Sequence, residues 1–384
     1  LNQHRDLVSH EIQEPTSAWA LAAIYVTLIV YASLYPFQDW RNQDLTPWDF
    51  LFSGWPRYWS EFDVVSNILG YAPLGFFLTL ASLRVGRMRA AWLTGVCFAT
   101  ALSFLMESLQ SYLPARVPSS ADLLFNCAGA MIGSSVSFVL ERVGLLARWS
   151  LFRGRWFSAS TRGVNASLVL LAIWPFALLF PCEIPLGLGQ IQARTYQALL
   201  QVLEDTPFLE WMPNLSMQTQ PMAPSVELVC IALGLLTPFL LGAAVIKRTR
   251  QKIAFLCLII AVACSLTALS TALSFGPIRA WSWINSLVIG GLILGTCLSL
   301  ISLRLESRSY DVFLIIIVVV QLFLINQNAE DVYLVQTLKT WEQGRFIRFH
   351  GLAQWLGWIW PFAVLALIFY KLLRGAKLKN MSLK

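Results

Sequence analysis

Charge is scarce in this chain: of 384 residues only 13% are Asp, Glu, Lys or Arg, about half the roughly 25% usual in soluble domains. That shortage excludes an ordinary water-soluble globule. Histidine is rarer still. His4, His10 and His350 stand far apart in sequence and offer little from which to build a zinc site or a Ser-His hydrolase. The seven cysteines form neither a disulfide framework nor a metal-spacing motif; Cys97, Cys127, Cys230, Cys257, Cys264 and Cys297 lie within apolar runs, and Cys182 stands alone at the end of one. No cofactor and no metal is expected.

What the chain has in abundance is apolar. Hydrophobic residues make up 57% and mean hydropathy is +0.62, gathered into runs about long enough to cross a ~30 Å hydrocarbon layer as helices. Ten spans are expected, at about 18–35, 64–83, 90–113, 121–140, 164–181, 225–246, 253–275, 281–303, 312–326 and 350–370. The fold class is therefore an all-α, polytopic transmembrane helical bundle. The first run is expected to stay as a span rather than be cleaved as a signal, because no small-x-small site follows Tyr35-Pro36-Phe37.

The net charge of +7 calls for no nucleic-acid partner once its placement is considered. Arg84, Arg87 and Arg89 follow the second span, Arg142, Arg148, Arg153, Arg155 and Arg162 the fourth, and Lys247, Arg248, Arg250 and Lys252 the sixth. With Arg5, Arg304, Arg308 and the tail from Lys371 to Lys384, 20 of the 28 basic residues fall on one side, which carries about +14 against −7 for everything else. The positive-inside rule then places both termini in the cytoplasm of a plasma (inner) membrane protein.

The organisation expected is a cytoplasmic tail at 1–17, a four-helix unit at 18–140 and a basic cytoplasmic loop at 141–163. A second four-helix unit follows at 164–303, then two further spans and a basic tail at 304–384. Two outer loops are long. Residues 36–62 carry Trp40, Trp48, Trp55 and Trp59, as at a headgroup boundary. Within 182–224, Tyr196, Leu199, Leu200 and Leu203 share a helical face, which predicts a short amphipathic helix on the outer leaflet. Both loops read either as support on the membrane surface or as a roof over a site.

Polar chemistry concentrates in the second to fourth spans. Asp63 and Asn67 are i, i+4 at the outer start of one; Glu107 and Gln110 lie near the outer end of the next, with Ser103 one turn deeper. Arg116 follows in a short loop, and Asp122 and Asn126, again i, i+4, begin the fourth span. Alternating span directions bring all of them to one depth. Asp63 and Asp122 have a structural explanation, since acids are favoured at helix N-termini and Ser119-Ser120-Ala121-Asp122 resembles a capping box. Glu107 has none: placed about two turns, or ~9 Å, inside its span, its charge costs on the order of 3 kcal/mol, so it is expected to face the bundle and be either protonated or paired, with Arg116 the natural partner.

An internal similarity sharpens the contrast. The stretch from Leu69 to Leu78 and that from Leu233 to Gly242 each lead through a basic loop and a third span to a Gly-rich fourth, with Pro73 and Pro238 offset by 165 residues. At that offset Asp63 falls on Leu228, Asn67 on Ala232, Glu107 on Ala272, Gln110 on Phe275 and Arg116 on Trp281. The second unit is thus expected to be a parallel repeat without the polar set.

The run Asp63-Val64-Val65-Ser66-Asn67-Ile68-Leu69-Gly70-Tyr71-Ala72-Pro73-Leu74-Gly75, then Glu107-Ser108-Leu109-Gln110, then Arg116 with Asp122-Leu123-Leu124-Phe125-Asn126 and Gly129/Gly133, resembles the VanZ-like family of membrane proteins. The resemblance covers about residues 18–140. It implies a cell-envelope role, the founding member being associated with glycopeptide (teicoplanin) resistance, and makes Asp63, Asn67, Glu107, Gln110, Arg116, Asp122 and Asn126 the counterparts of the family's polar motif positions.

Three readings follow. In the first, Arg116, Asn67, Gln110 and Asn126 bind an anionic or sugar-bearing headgroup of an envelope lipid or lipid-linked glycan. In the second, Glu107 acts as general acid or base with Asp63 or Asp122 as second carboxylate in an intramembrane enzyme. The third, a transporter or flippase, sits poorly with a second half that lacks polar residues. Arg345, Arg348 and His350, on the outer side before the last span, read either as interfacial anchors or as an extension of the pocket toward phosphates.

Overall fold

Uninterrupted apolar runs become helices in a membrane because every backbone amide and carbonyl must be paired within the segment. The computed structural model describes residues 17–35, 37–44, 46–55, 61–86, 90–114, 116–158, 163–179, 182–204, 206–212, 222–327 and 347–381. Among these it is all-helical, apart from an isolated bridge between Phe157 and Ile246. The helices are α1 (Ser17–Leu34), α2 (Glu61–Arg84), α3 (Ala91–Gln110), α4 (Ser120–Arg142), α5 (Leu145–Trp156), α6 (Val164–Ala177), α7 (Gln192–Leu203), α8 (Pro224–Ala243), α9 (Thr249–Phe275), α10 (Ser286–Ser302), α11 (Ser307–Ile325) and α12 (Ile347–Met381).

Six of them, α2, α3, α4, α8, α9 and α12, are long and apolar enough to cross a membrane. Four shorter apolar helices, α1, α6, α10 and α11, stand where the remaining expected runs lie. The basic stretch after α4 is itself partly helical, as α5, and the amphipathic stretch expected around 196–203 is α7.

The chain divides into two compact units, Leu1–Leu151 and Phe152–Lys384. In the first, α2 and α4 touch backbone to backbone. A Cβ added at Gly129 would overlap the carbonyl of Ile68, one at Gly133 the carbonyl of Ala72, and one at Gly75 the carbonyl of Ala130. This is the small-xxx-small packing by which helices associate where lipid supplies no hydrophobic drive. Gly95 lets α3 close in the same way on Thr79 and Ser134. α1 completes the unit by burying Ala22, Ile29 and Leu34 against Tyr71, Leu74, Leu78, Leu102 and Met106. At the end where α2 and α4 finish, Arg84 pairs with Glu141 at 3.8 Å.

In the second unit α8 is apolar on every side and buried from Cys230 to Ala243, as befits a helix enclosed by others. Leu228 and Ala232 of α8 meet Gly291 and Gly295 of α10. α11 and α12 belong to the same core, through Tyr310, Leu314, Val318, Trp360 and Val364. Lys371, in the last third of α12, is buried 3.5 Å from Asp311 of α11.

The loop after α6 is apolar and dips into this unit. Ile184, Leu186 and Leu188 are buried although non-helical. Such a segment survives only if its backbone is satisfied by protein, and here Gln321 donates to the Leu186 carbonyl, Asn326 to that of Gly189, and the Gly189 amide donates to Gly357.

The α2–α4 contact yields a test. Gly133→Ala should destabilise the protein by about 2 kcal/mol, as overpacking does, seen as a lower melting temperature in detergent, whereas Gly70→Ala, where a Cβ would meet nothing within 4 Å, should not lower it, since alanine is the better helix former.

Candidate functional site

One end of the first unit collects the C-termini of α1 and α3 and the N-termini of α2 and α4. α3 stops at Gln110, earlier than the apolar run alone implies, because Tyr112 and Leu113 close tight turns onto Leu109 and Gln110 ahead of Pro114, which disfavours helix in the residue before it. Glu107 therefore lies in the last turn of α3. Its burial, at 4% exposure, comes from the loop that folds over it rather than from depth along the helix.

The capping arrangement at α4 differs from the usual box. Ser119 is the N-cap and its hydroxyl accepts from the Ala121 amide at 3.2 Å. The amide of Ser119 donates not to Asp122 but to Glu107 Oε2, at 2.8 Å. Glu107 thus takes, from the neighbouring helix, the place an acid three residues after the cap would hold, and its charge sits at the positive end of α4. Asp122 reaches across instead, accepting from Asn67 Nδ2 at 2.7 Å and tying α4 to α2.

Arg116 occupies the opposite kind of helix end. Its Nη2 donates to the carbonyls of Tyr35 at 2.7 Å and Ala32 at 3.4 Å, at the negative C-terminus of α1. Gln110 donates to the adjacent Ser33 carbonyl at 2.9 Å. Deeper, Asn126 donates to Ser103 Oγ at 2.9 Å. Asp63 stands exposed in the first turn of α2, where the helix dipole favours it. The structure therefore joins Asn67 to Asp122, Asn126 to Ser103, Glu107 to the start of α4, and Gln110 and Arg116 to the end of α1. The loop after α1 lies against the same end: Arg41 N donates to Tyr112 O, Gln43 to Ser111 O, and Phe50 packs on Phe104.

One member escaped the sequence reading. Tyr71 looks like a core aromatic, yet its hydroxyl stands beside Ser103 and Glu107. It is 6% exposed and has Ser103 within hydrogen-bonding reach but no bond of regular geometry to a described residue; Oδ1 of Asn126, whose side chain is 5% exposed, accepts none from a described residue. These differ in kind from the buried hydroxyls of Thr79 and Ser137, which also lack partners. A Ser or Thr hydroxyl can rotate back onto a carbonyl one turn earlier, while a phenol is too long to do so and an amide oxygen has no proton to give. The pattern Tyr71-Ala72-Pro73 gives no signal for this role; only its spacing of four from Asn67 places it one turn further along.

Among the described residues no group of three His, Cys, Asp or Glu side chains could hold a metal ion. Arg345 lies outside the described residues, and of Arg348 and His350 only the backbone, at the start of α12, is described.

The apolar helices and this polar end define the class, a multi-pass helical membrane protein. Residues 12–141, which take in α1 to α4 up to the last residue, match the model of the VanZ/LLP1 family, so the first unit is similar to that family. No curated protein and no solved structure matches the chain.

The Asn67–Asp122 bond can be measured by a double-mutant cycle with Asn67→Ala and Asp122→Ala. A charge-assisted, half-buried bond of this length should show a coupling of about 1.5–3 kcal/mol in denaturation of the purified protein, and a coupling near zero would remove it as a tie between α2 and α4.

Proposed function

We propose that the first unit is a VanZ-like binding module that holds the polar headgroup of an envelope lipid or lipid-linked glycan at the outer face of a plasma membrane. The observation carrying this reading is the pair of buried groups with unused hydrogen-bonding capacity, Tyr71 Oη and Asn126 Oδ1, next to the buried carboxylate of Glu107. A folded protein seldom leaves such groups unsatisfied without a functional reason. Protection of the envelope against glycopeptides is the consequence that a VanZ-like role suggests.

Orientation is inferred from charge. The end of the unit away from the site finishes in Arg84 and Arg142, close to the basic α5, and the positive-inside rule assigns that end, with both termini, to the cytoplasm.

The second unit reads as a repeat without the site. At the 165-residue offset, the positions of Asp63 and Asn67 are those of Leu228 and Ala232, the residues of α8 that meet Gly291 and Gly295. Where the first unit has a polar pair, the second has close apolar packing.

The test is a lipid-extract mass spectrum of the protein purified in a sugar-free detergent, before and after incubation with membrane lipids. A polar lipid retained with unaltered mass by the wild type, and lost in Glu107→Ala at equal membrane abundance, supports binding. A retained lipid whose mass changes on incubation assigns catalysis by the buried carboxylate instead, and no retained lipid overturns the proposal.

A further inference from the structure

We infer that α5, with the turn between α8 and α9, is a second lipid site, independent of the polar end of the first unit, and that it takes anionic phospholipid from the leaflet in which α4 finishes. The connections of α5 place it at a membrane boundary. It is separated from α4 only by Val143 and Gly144, a glycine with φ +73° that turns the chain. Its last carbonyls are bonded to the turn that joins two membrane-crossing helices: Lys247 Nζ donates to Gly154 O, Gln251 to Arg155 O, and the Lys247 amide to Trp156 O at 3.0 Å. Its 12 residues reach about 18 Å as a helix, well short of a ~30 Å hydrocarbon layer. The helix therefore runs along the surface and not across.

A helix this short is marginal on its own and is ordinarily held by packing of its apolar face. Here the protein holds α5 by its end and by one flank, where Leu146 is buried and Arg153 donates to Asn165 at 3.1 Å. The apolar stripe is exposed instead. Leu145, Trp149, Phe152 and Trp156 follow at i, i+4, i+7 and i+11, and the first three are 42%, 60% and 42% exposed; of the exposed large apolar side chains only Leu151 lies off the stripe. Arg148 and Arg155, both exposed and seven residues apart, line the edge of the stripe opposite the Arg153 flank. An apolar stripe edged by arginine suits a helix lying among headgroups with that stripe in the acyl boundary.

Charge selects the lipid. Arg248 and Arg250, at the turn that holds α5, are exposed as well. The sequence has no Asp or Glu between Glu141 and Glu183 or between Glu227 and Glu306, and Glu141 itself pairs with Arg84. Exposed guanidinium groups with no acid in either segment match an anionic phosphodiester, to which each basic residue at a membrane surface adds attraction. A zwitterionic lipid brings an ammonium beside every phosphate and gains less. A soluble acidic protein would meet the arginines but not a stripe sunk to the level of acyl chains.

Competition between two lipids tests the inference. Full-length protein is placed in nanodiscs of equal phosphatidylglycerol and phosphatidylcholine with the same chains, and the lipid retained on release is counted by native mass spectrometry. The unaltered protein should retain phosphatidylglycerol about tenfold over phosphatidylcholine, and Arg148→Gln with Arg155→Gln should lower that preference about fivefold. Trp149→Gln should lower the phosphatidylglycerol retained about threefold. Melting temperature should not change in either variant, since the replaced side chains are exposed. Arg279→Gln with Arg304→Gln, the same change of charge at exposed positions outside α5 and the α8–α9 turn, should leave the preference in place, and excess polyglutamate should displace no lipid. Equal retention of the two lipids by the unaltered protein, an equal loss in both arginine pairs, or full retention in either α5 variant overturns the inference. Displacement by polyglutamate assigns the face to an acidic protein partner and overturns it as well.

Discussion

The first unit depends on how closely α2 and α4 approach. Hydrocarbon gives two apolar helices little reason to prefer each other over lipid, so their association rests on packing and on polar ties. Gly129 and Gly133 remove the side chains that would hold the backbones apart, and the carbonyls of Ile68 and Ala72 occupy the space. Only at that separation do side chains as short as those of Asn67 and Asp122 meet at 2.7 Å. The same approach sets Asn126 against Ser103 on α3 and, through it, near Tyr71. A single methyl group on the contact would displace all of them together.

Charges at this end are held by helix termini. A charge at the centre of a span costs about 3 kcal/mol on the insertion scale; Glu107, in the last turn of α3, is spared part of that, and the Ser119 amide and the α4 dipole offset the rest of its desolvation. Arg116 is treated symmetrically at the end of α1. The consequence is that two charges which look, in sequence, like a binding pair are first of all the means by which α1 and α3 are locked to α4 and its preceding loop.

That distinction marks where the sequence was legible. Apolar runs report helices because hydropathy is a property of composition, and all ten expected runs coincide with helical segments. The polar cluster was legible because charge is so rare that Glu107, Asp122 and Arg116 stand out against the lipid-facing background. Their partners were not, for a physical reason: the carbonyls of Ala32, Ser33 and Tyr35 carry no side-chain signature, and the exchange of capping partners between Glu107 and Asp122 depends on where α3 ends. Tyr71 was hidden for the opposite reason, since an aromatic residue in an apolar run is read as core until its hydroxyl is located.

The second unit puts its polar groups to a different use. Several of its polar side chains are directed to its own backbone: Gln321 to Leu186, Asn326 to Gly189 and to the amides of Ile191 and Gln192, Trp360 to Leu170. They hold an apolar segment that enters the unit without helical bonds of its own, and Thr237 secures Gln321 in turn. In that setting polarity is a structural necessity, because an unsatisfied backbone group in hydrocarbon costs several kcal/mol. No comparable necessity accounts for Tyr71 or for the amide oxygen of Asn126. Phenylalanine in the one place, or an apolar residue in the other with Ser103 left to bond its own helix, would cost the first unit little. Both are buried together at Ser103, and it is on them that the binding role proposed for the first unit rests.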